Sequence, residues 1–197
     1  TKAYNASRSR EKAGLLKKEE AKMKIKETDY EVIRLLGHGK GGYSYLVRDG
    51  KERFVLKQIH HEPCDYYQFG NKLEAEMRDY ERLCGTGIML PKLLAVDEGE
   101  ERILKEYIEG PTVYELILAD GMKEHYLQQG KTMAEAVKKQ GLNIDYFPTN
   151  FVVQEEKLYY IDYECNNYME EWSFENWGIH YWSKTQELMD YAEKHKK

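Results

Sequence analysis

Cysteine and long hydrophobic runs are what this sequence has least of. Three of its 197 residues are cysteine, at positions 64, 84 and 165. They form no Cys-x-x-Cys pair, so neither a disulfide framework nor a zinc ribbon is indicated, and we expect free thiols. No apolar run approaches the roughly 18 residues that a membrane-spanning helix needs, and the first residues contain no apolar signal core. These absences predict a cytoplasmic protein that makes no membrane contact.

A strong excess of one charge is also absent. Charged residues make up 33% of the chain, yet the formal net charge at pH 7 is only -5. A polybasic surface is therefore not indicated, and we expect a soluble chain without a nucleic-acid partner. A chain of this length forms one domain or two small lobes, which can bury a sizeable core if the lobes share it.

Charge dominates residues 1–28, where the apolar side chains are too sparse for a continuous helical stripe. We interpret this stretch as a charged N-terminal extension in which residues 8–27 form a helix. The solvated, fraying form is the one we expect, although a basic-rich helix could also dock on a partner or on the body of the protein.

Residues 30–59 have the pattern of a three-stranded antiparallel meander. Apolar strand patterns cover residues 30–36, 43–48 and 53–59, and Asp49-Gly50 is a two-residue hairpin signal between the last two. The first two strands are joined by a glycine-rich turn, which needs its own interpretation.

The glycine-rich turn has Gly37, Gly39 and Gly42 in a Gly-x-Gly-x-x-Gly pattern. In a dinucleotide-binding fold this pattern opens a helix, whereas here it opens a strand. Glycine lets the backbone bend and approach phosphate oxygens without a Cβ in the way. Without Lys57 on the next strand, a flexible hairpin loop would be the better interpretation.

Lys57 lies between apolar neighbours in the third strand of the meander. A lysine there is costly unless its ammonium meets an anion, and a phosphate oxygen plus a carboxylate would supply one. The following segment, residues 71–83, is predicted to be a helix and offers Glu74 and Glu76 as candidate carboxylates. The inward face of this helix is predicted to contain Leu73, Met77, Tyr80 and Leu83 or Cys84.

The stretch between strand and helix invites a metal-site hypothesis, because His60, His61, Cys64 and Asp65 lie close together. These ligands are too close in sequence for a closed zinc site, and no second pair follows. We interpret the stretch as a turn.

The most specific chemical pattern is formed by Asp145, Asn150 and Asp162. Short apolar strands over residues 151–153 and 158–161, joined by a charged turn, predict a hairpin that holds the three side chains together. A carboxylate, an amide five residues later and a carboxylate at the far end of a hairpin can converge on a metal-bound phosphate. Asp145 would take the proton of an attacking hydroxyl, and Asn150 and Asp162 would hold magnesium on the nucleotide.

Taken in order, these motifs resemble the protein-kinase-like superfamily over about residues 29–182. The ordered set is Gly37, Gly39, Gly42, Lys57, Glu76, Asp145, Asn150 and Asp162. The resemblance implies an α+β, bilobal fold. Its small lobe, residues 29–108, would be a five-stranded antiparallel sheet with one helix, and residues 109–197 would form a shortened, mostly helical large lobe.

The resemblance also implies ATP and Mg2+ as cofactors and a role for each site residue. It places the carboxylate that pairs with Lys57 at Glu76. The segment 106–110 resembles the hinge between lobes, where backbone groups of Glu106 and Ile108 would pair with adenine, although an edge strand ending at a Gly-Pro turn explains it as well.

Departures from the usual kinase pattern indicate which members of the superfamily this sequence resembles most. Asn143 and Ile144 stand where a histidine and an arginine precede the catalytic aspartate, so regulation by an activation-loop phosphate is not expected. Phe147 replaces the lysine of typical serine/threonine kinases. Glu164 stands in place of a glycine, as in aminoglycoside and choline kinases, while size and hinge are similar to compact atypical prokaryotic serine/threonine kinases and lipopolysaccharide sugar kinases.

Only residues 165–197 follow the metal-binding motif, which is too little for a long activation segment. We expect the aromatic residues between 172 and 182 to pack the closing helix, 184–194, into the large lobe, since Trp and Tyr often serve as core. An exposed aromatic patch for a partner is the alternative.

The resulting expectation is an ATP- and magnesium-dependent phosphotransferase whose acceptor is a hydroxyl, with serine or threonine of a protein favoured. One alternative is a small-molecule kinase acting on a sugar or an amino alcohol. Another is a catalytically inactive pseudokinase that serves as a binding module, motivated by Asn143, Phe147 and the short large lobe. The acceptor is not identified, because acceptor selection lies in the shortened region.

Overall fold

An antiparallel sheet and one helix dominate the first half of the chain. The computed structural model describes residues 21–63 and 70–195. The strands of the sheet are β1 (Lys22–Ile25), β2 (Thr28–His38), β3 (Gly42–Asp49), β4 (Glu52–Ile59), β5 (Leu93–Asp97) and β6 (Arg102–Glu106). They lie in the order β1-β2-β3-β4-β6-β5, and neighbours are antiparallel. Over the described ranges this sheet is six-stranded, one strand more than predicted.

β1 is the strand that the sequence analysis missed. The predicted helix over residues 8–27 is wrong for its last part, because Met23 pairs with Tyr30 in an antiparallel ladder and Ile25 is buried in the sheet's apolar cluster. Backbone pairing and burial at the sheet edge override local helix propensity. Residues 1–20, the remainder of the predicted extension, lie outside the described residues.

The turn between β3 and β4 lies one residue later than predicted. Asp49 pairs with Glu52, so Gly50 and Lys51 are the two residues of the loop. Gly50 has φ of 59°, a value that glycine adopts without strain. Glycine therefore takes the first loop position, as in one of the two favoured two-residue hairpin turns.

The helix α1 (Lys72–Cys84) packs against the sheet. Asn71 caps it by accepting a hydrogen bond from the Glu74 amide at 3.1 Å. Leu73 is buried with residues of β4 and β6, and Met77 and Tyr80 pack against the same cluster. The predicted inward face is confirmed, and it leaves Glu76 on the side that faces β4.

The second half of the chain combines helices with short strand pairs. Its elements are α2 (Val113–Leu118), α3 (Glu124–Lys139), β7 (Leu142–Ile144), β8 (Phe151–Gln154), β9 (Lys157–Tyr160), β10 (Cys165–Asn167) and α4 (Gln186–Lys194), with 3-10 turns at Pro148–Asn150, Glu170–Trp172 and Gly178–Tyr181. β8 pairs with β9 as predicted, and β7 pairs with β10. The mixed α+β character is thus confirmed, while the predicted lobe boundary at residue 108 stays a prediction.

Several large aromatic side chains are buried in the core of this half. Phe174 and Trp182 are buried in one cluster with Tyr146, and the Trp182 ring nitrogen donates to the Tyr146 carbonyl at 2.8 Å. The predicted packing role is confirmed for Phe174 and Trp182, whereas Trp172 is 51% exposed. Within the described part of the chain, every helix is too short or too polar to cross a membrane.

Candidate active site

The strand pairs of the second half bring the predicted carboxylates and amide to one place. β7 pairs antiparallel with β10, so Asp145, which follows β7, lies opposite Glu164, which precedes β10. The β8–β9 hairpin begins after Asn150 and ends just before Asp162, and the Ile161 amide donates to the Asn150 carbonyl at 2.9 Å. The predicted hairpin therefore brings Asn150, at its start, close to the segment of Asp162, at its end.

Tyr160 holds the Asp145 segment in place, a role that the sequence did not predict. Its ring is fully buried, its hydroxyl donates to the Glu164 carbonyl at 2.8 Å, and the Asp145 amide approaches the same hydroxyl at 3.4 Å. The signal was its position in a short apolar strand, since a buried tyrosine hydroxyl usually finds a polar partner.

The Asp145 carboxylate is held by its own loop. Oδ1 accepts from the Phe147 amide at 3.0 Å, and the Asn150 side-chain nitrogen donates to the Asp145 carbonyl at 3.3 Å. Burial raises the pKa of Asp145, and the like charge of Asp162 adds to the increase, although the hydrogen bond from Phe147 opposes it. A carboxylate with a raised pKa is a stronger base than an ordinary aspartate.

Asp162 has the opposite electrostatic balance. Burial alone would raise its pKa, but the ammonium groups of Lys57 and Lys105 outweigh burial and hold the pKa of this carboxyl below its usual value. Oδ1 also accepts from the Tyr163 amide at 2.8 Å. Asp162 is therefore an ionised carboxylate, as a metal ligand must be.

Lys57 pairs with Glu76 and not with Glu74. Its Nζ lies 2.7 Å from Oε2 of Glu76, and the two side chains are only 13% and 9% exposed. Desolvation would lower the pKa of Lys57, but Glu76 and Asp162 together raise it. Glu74 is exposed in the first turn of α1. The lysine in the apolar strand thus lies between two carboxylates.

Lys105, on β6, is a second buried lysine that the sequence analysis passed over. It is 6% exposed, and its Nζ donates to the Ile161 carbonyl at 2.7 Å above the Tyr163 ring. Burial lowers its pKa, and the nearby Lys57 adds to this effect. The signal that singled out Lys57, a lysine within an apolar strand, applies equally to Lys105.

The glycine-rich turn lies directly beside Lys57. Gly39 donates to the Gly42 carbonyl at 3.0 Å, and a Cβ at Gly41 would be 3.4 Å from the Lys57 Nζ. A Cβ at Gly42 would approach the Gln58 carbonyl oxygen to 2.3 Å, so glycine is required there for close packing of β3 on β4. A Cβ at Gly37 or Gly39 would meet no atom within 4 Å. Gly41, which was not predicted, is the glycine of the turn nearest the Lys57 ammonium.

Lys40, in the same turn, connects it electrostatically to the opposite side of the site. Burial, together with the like charge of Asp162, raises the pKa of Glu164. The positive charge of Lys40 opposes part of the increase at both Glu164 and Asp145. The Lys40 carbonyl accepts from the buried Lys72 Nζ at 3.1 Å. The turn is therefore held against α1, and the positive charge of Lys40 acts on both carboxylates.

The predicted hinge passes between the sheet and β8. The Glu106 amide donates to the Lys92 carbonyl at 2.9 Å, so this amide is already engaged within the sheet. Ile108 is 4% exposed. Gly110 has φ of 156°, and a Cβ there would lie 1.9 Å from the Val153 carbonyl oxygen. Glycine is thus required where the segment crosses β8.

Comparison with known proteins points to a kinase fold. A crystal structure described as the BubR1 kinase domain matches with a TM-score of 0.54 at 14% sequence identity, over 77% of this chain and 52% of that chain. This chain therefore spans about half the length of that structure. No protein-family model and no curated protein matches the sequence. At this identity the likeness extends to the fold alone, which is protein-kinase-like.

Proposed function

We propose that this protein is an ATP- and magnesium-dependent phosphotransferase that moves the γ-phosphate to a hydroxyl group. The observation that carries the proposal is the Lys57–Glu76 ion pair at 2.7 Å, buried beside Asp162 and opposite the Asp145 loop. In phosphoryl transfer the protein positions the phosphates and stabilises their charge, and a lysine held by a carboxylate beside a metal-binding aspartate suits both tasks.

Asn150 and Asp162 have the chemistry that Mg2+ requires. Magnesium prefers oxygen ligands and is bound by one or two carboxylates plus substrate phosphates. The Asn150 nitrogen is engaged with the Asp145 carbonyl, which leaves its oxygen for a cation, and Asp162 is ionised. When bound, magnesium would neutralise charge on the phosphates. Asp145 would then accept the proton of the attacking hydroxyl.

The nucleotide would lie between the glycine-rich turn and the hinge. Gly37, Gly39 and Gly41 offer a backbone that a phosphate can approach, while Gly42 serves the packing of the strands. The adenine would meet the backbone of Glu106 and Ile108. Lys40 would stand near the transferred phosphate, since it already acts on Asp145.

For the acceptor we favour a protein serine or threonine, as in compact atypical prokaryotic kinases. A sugar or amino-alcohol acceptor is the second candidate, supported by Glu164 in place of the usual glycine. Phe147 stands in place of the lysine of typical serine/threonine kinases. The Phe147 ring packs on Tyr191 of α4, with 4.6 Å between the ring centroids, so this position serves packing instead of charge. The pseudokinase alternative is opposed by the presence of Asp145, Asn150 and Asp162 together.

An assay of ATP turnover and nucleotide binding tests this function. We expect Asp145→Asn to lower turnover by about a hundredfold or more while magnesium-dependent binding persists. Asp162→Ala should remove most magnesium-dependent binding. Asp190→Asn, on α4, is the matched control and should behave like the parent. Equal turnover in the parent and Asp145→Asn would contradict the proposed base, and binding without turnover in the parent would identify a pseudokinase.

A further inference from the structure

Three polar side chains meet beside the glycine-rich turn, outside the candidate active site. His38 ends β2, His60 directly follows β4, and Glu62 lies two residues later. β3 lies between β2 and β4, and its first residues pair with the ends of both strands. The sheet therefore brings together residues that are far apart in sequence.

The distances among these side chains are those of a ligand set. The His38 Nε2 lies 3.2 Å from the His60 Nε2 and 3.2 Å from Oε2 of Glu62. All the potential ligand atoms lie within 4.8 Å of one another. Two ligands bound to zinc at ordinary bond lengths and a tetrahedral angle are about 3.3 Å apart, so the separations need little change to accommodate an ion.

Neighbouring groups orient the set in the manner of a metal's outer shell. Tyr43 stacks on His38 with 4.2 Å between ring centroids, and its hydroxyl donates to Oε1 of Glu62, which leaves Oε2 for an ion. This hydrogen bond also lowers the pKa of Glu62. Lys72 donates to the His60 carbonyl at 2.7 Å and fixes the backbone of that residue. Such partners of ligating side chains strengthen metal binding.

We propose that His38, His60 and Glu62 form a binding site for a transition-metal dication such as Zn2+, with an open fourth position. Two imidazoles and one carboxylate suit zinc, cobalt or nickel better than magnesium. The site is therefore chemically distinct from the pair Asn150 and Asp162. His61 is not part of it, because its ring pairs with Glu101 at 2.6 Å.

Metal binding at this site would release a contact of the glycine-rich turn. The His60 Nδ1 lies 3.2 Å from the Glu62 amide, which can only donate, so the proton of the neutral ring is on Nε2. That Nε2 donates to the Gly39 carbonyl at 2.9 Å. A neutral imidazole bound to an ion through Nε2 carries its proton on Nδ1, so an ion there would break the contact with the Gly39 carbonyl and also the hydrogen bond from the Glu62 amide. Occupancy would therefore loosen the turn at Gly39.

Titration of the full chain with Zn2+ against a chromogenic chelator tests the site. We expect one equivalent to bind, and His38→Gln, His60→Gln and Glu62→Gln each to weaken binding by at least about tenfold. His61→Gln is the matched control and should bind as the parent does. Melting curves without metal establish that each variant is folded. Absence of binding to the parent, or equal weakening by His61→Gln, would overturn the proposal.

Two further measurements distinguish binding at this site from binding elsewhere on the chain. The visible spectrum of the Co2+ form should show tetrahedral bands without thiolate charge transfer, and a thiolate band would assign binding to cysteine instead. Hydrogen exchange in residues 37–42 should accelerate on metal addition in the parent and not in His60→Gln. Unchanged exchange in the parent would refute release of Gly39. Neither readout involves nucleotide, so both are independent of the proposed phosphotransfer.

Discussion

Among single residues, Lys57 and Glu76 form a buried ion pair in which each charge offsets the desolvation of the other. Both are largely buried, and without Glu76 the Lys57 ammonium would keep mainly the charge of Asp162 as compensation. One oxygen of Glu76, Oε1, is buried without a hydrogen-bond partner among the described residues. That oxygen can accept a hydrogen bond from a donor group of a ligand or from a water.

The first residue-scale prediction concerns this pair. Lys57→Met and Glu76→Gln should each lower catalytic efficiency by about a hundredfold, because loss of either leaves the phosphates mispositioned. In the double mutant the losses should be less than additive, since the remaining partner has nothing left to orient. Steady-state kinetics measures both effects.

Glu74→Gln is the control for that experiment, because Glu74 is on the same helix but exposed. It should be nearly silent. A loss that follows Glu74 and spares Glu76 would show that the Lys57–Glu76 pair is not the functional one. A loss confined to Lys57→Met would mean that the lysine acts on phosphate alone.

The second residue-scale prediction links Asp145 to stability. Folding raises its pKa above the ordinary 3.8. Between 3.8 and the raised pKa the folded state binds more protons than the unfolded state, so the protein loses stability as the pH rises through this range. Asp145→Asn removes this cost. The melting temperature of Asp145→Asn should therefore exceed that of the parent at pH 7, and the difference should shrink as pH falls toward 3.8. Asp190→Asn should show no such pH-dependent gain.

At the scale of elements, α1 is held in place by contacts to β10 as well as by the sheet. Asp79 is 7% exposed, and its Oδ2 accepts from the Cys165 amide at 3.4 Å. Arg82 donates to the Asn167 side chain at 2.7 Å. These contacts join the helix that carries Glu76 to the strand that follows Asp162.

The element-scale prediction concerns a mutation that removes the contact between α1 and β10. Asp79→Ala should lower the free energy of unfolding by about 1–3 kcal/mol, since the buried Cys165 amide loses its acceptor. It should also lower catalytic efficiency, because Glu76 is on the same helix. Denaturant unfolding and steady-state kinetics measure the two effects. Glu81→Ala, an exposed carboxylate of α1, should change neither quantity. Full activity in a destabilised Asp79→Ala would show that the helix position does not depend on β10.

For the whole molecule, the site lies between the sheet and the second half of the chain. The cluster around α1 includes Tyr163, and Lys105 of the sheet donates to Ile161. A ligand bound there contacts both halves, so its binding free energy should stabilise the entire fold.

The whole-molecule prediction follows from that placement. MgATP at a hundred times its dissociation constant should stabilise the fold by about 2.7 kcal/mol, which raises the melting temperature of a chain of this size by roughly 5–10 °C. Differential scanning fluorimetry measures the shift. It should be lost in Asp162→Ala. An unchanged melting temperature for the parent at millimolar MgATP would contradict the nucleotide site.

Local patterns in the sequence were sufficient for the main strands, α1, the β8–β9 hairpin and the order of the site residues. Each of these depends on apolar periodicity, a turn residue or a short spacing within one segment. That Lys57 meets a carboxylate of α1 also followed, because a lysine in an apolar strand requires a nearby anion, whereas the choice of Glu76 over Glu74 came from the resemblance to protein kinases.

Tertiary structure decided the features that depend on partners from distant segments. β1 is a strand because β2 offers it an edge, and Gly42 is required because the β4 backbone lies against it. His38 meets His60 and Glu62 only through the register of three strands. Periodicity reports the preference of one segment and not the segment it packs against. The sequence alone therefore determined most of the elements, while sheet pairing determined β1 and what the side chains of the sheet meet.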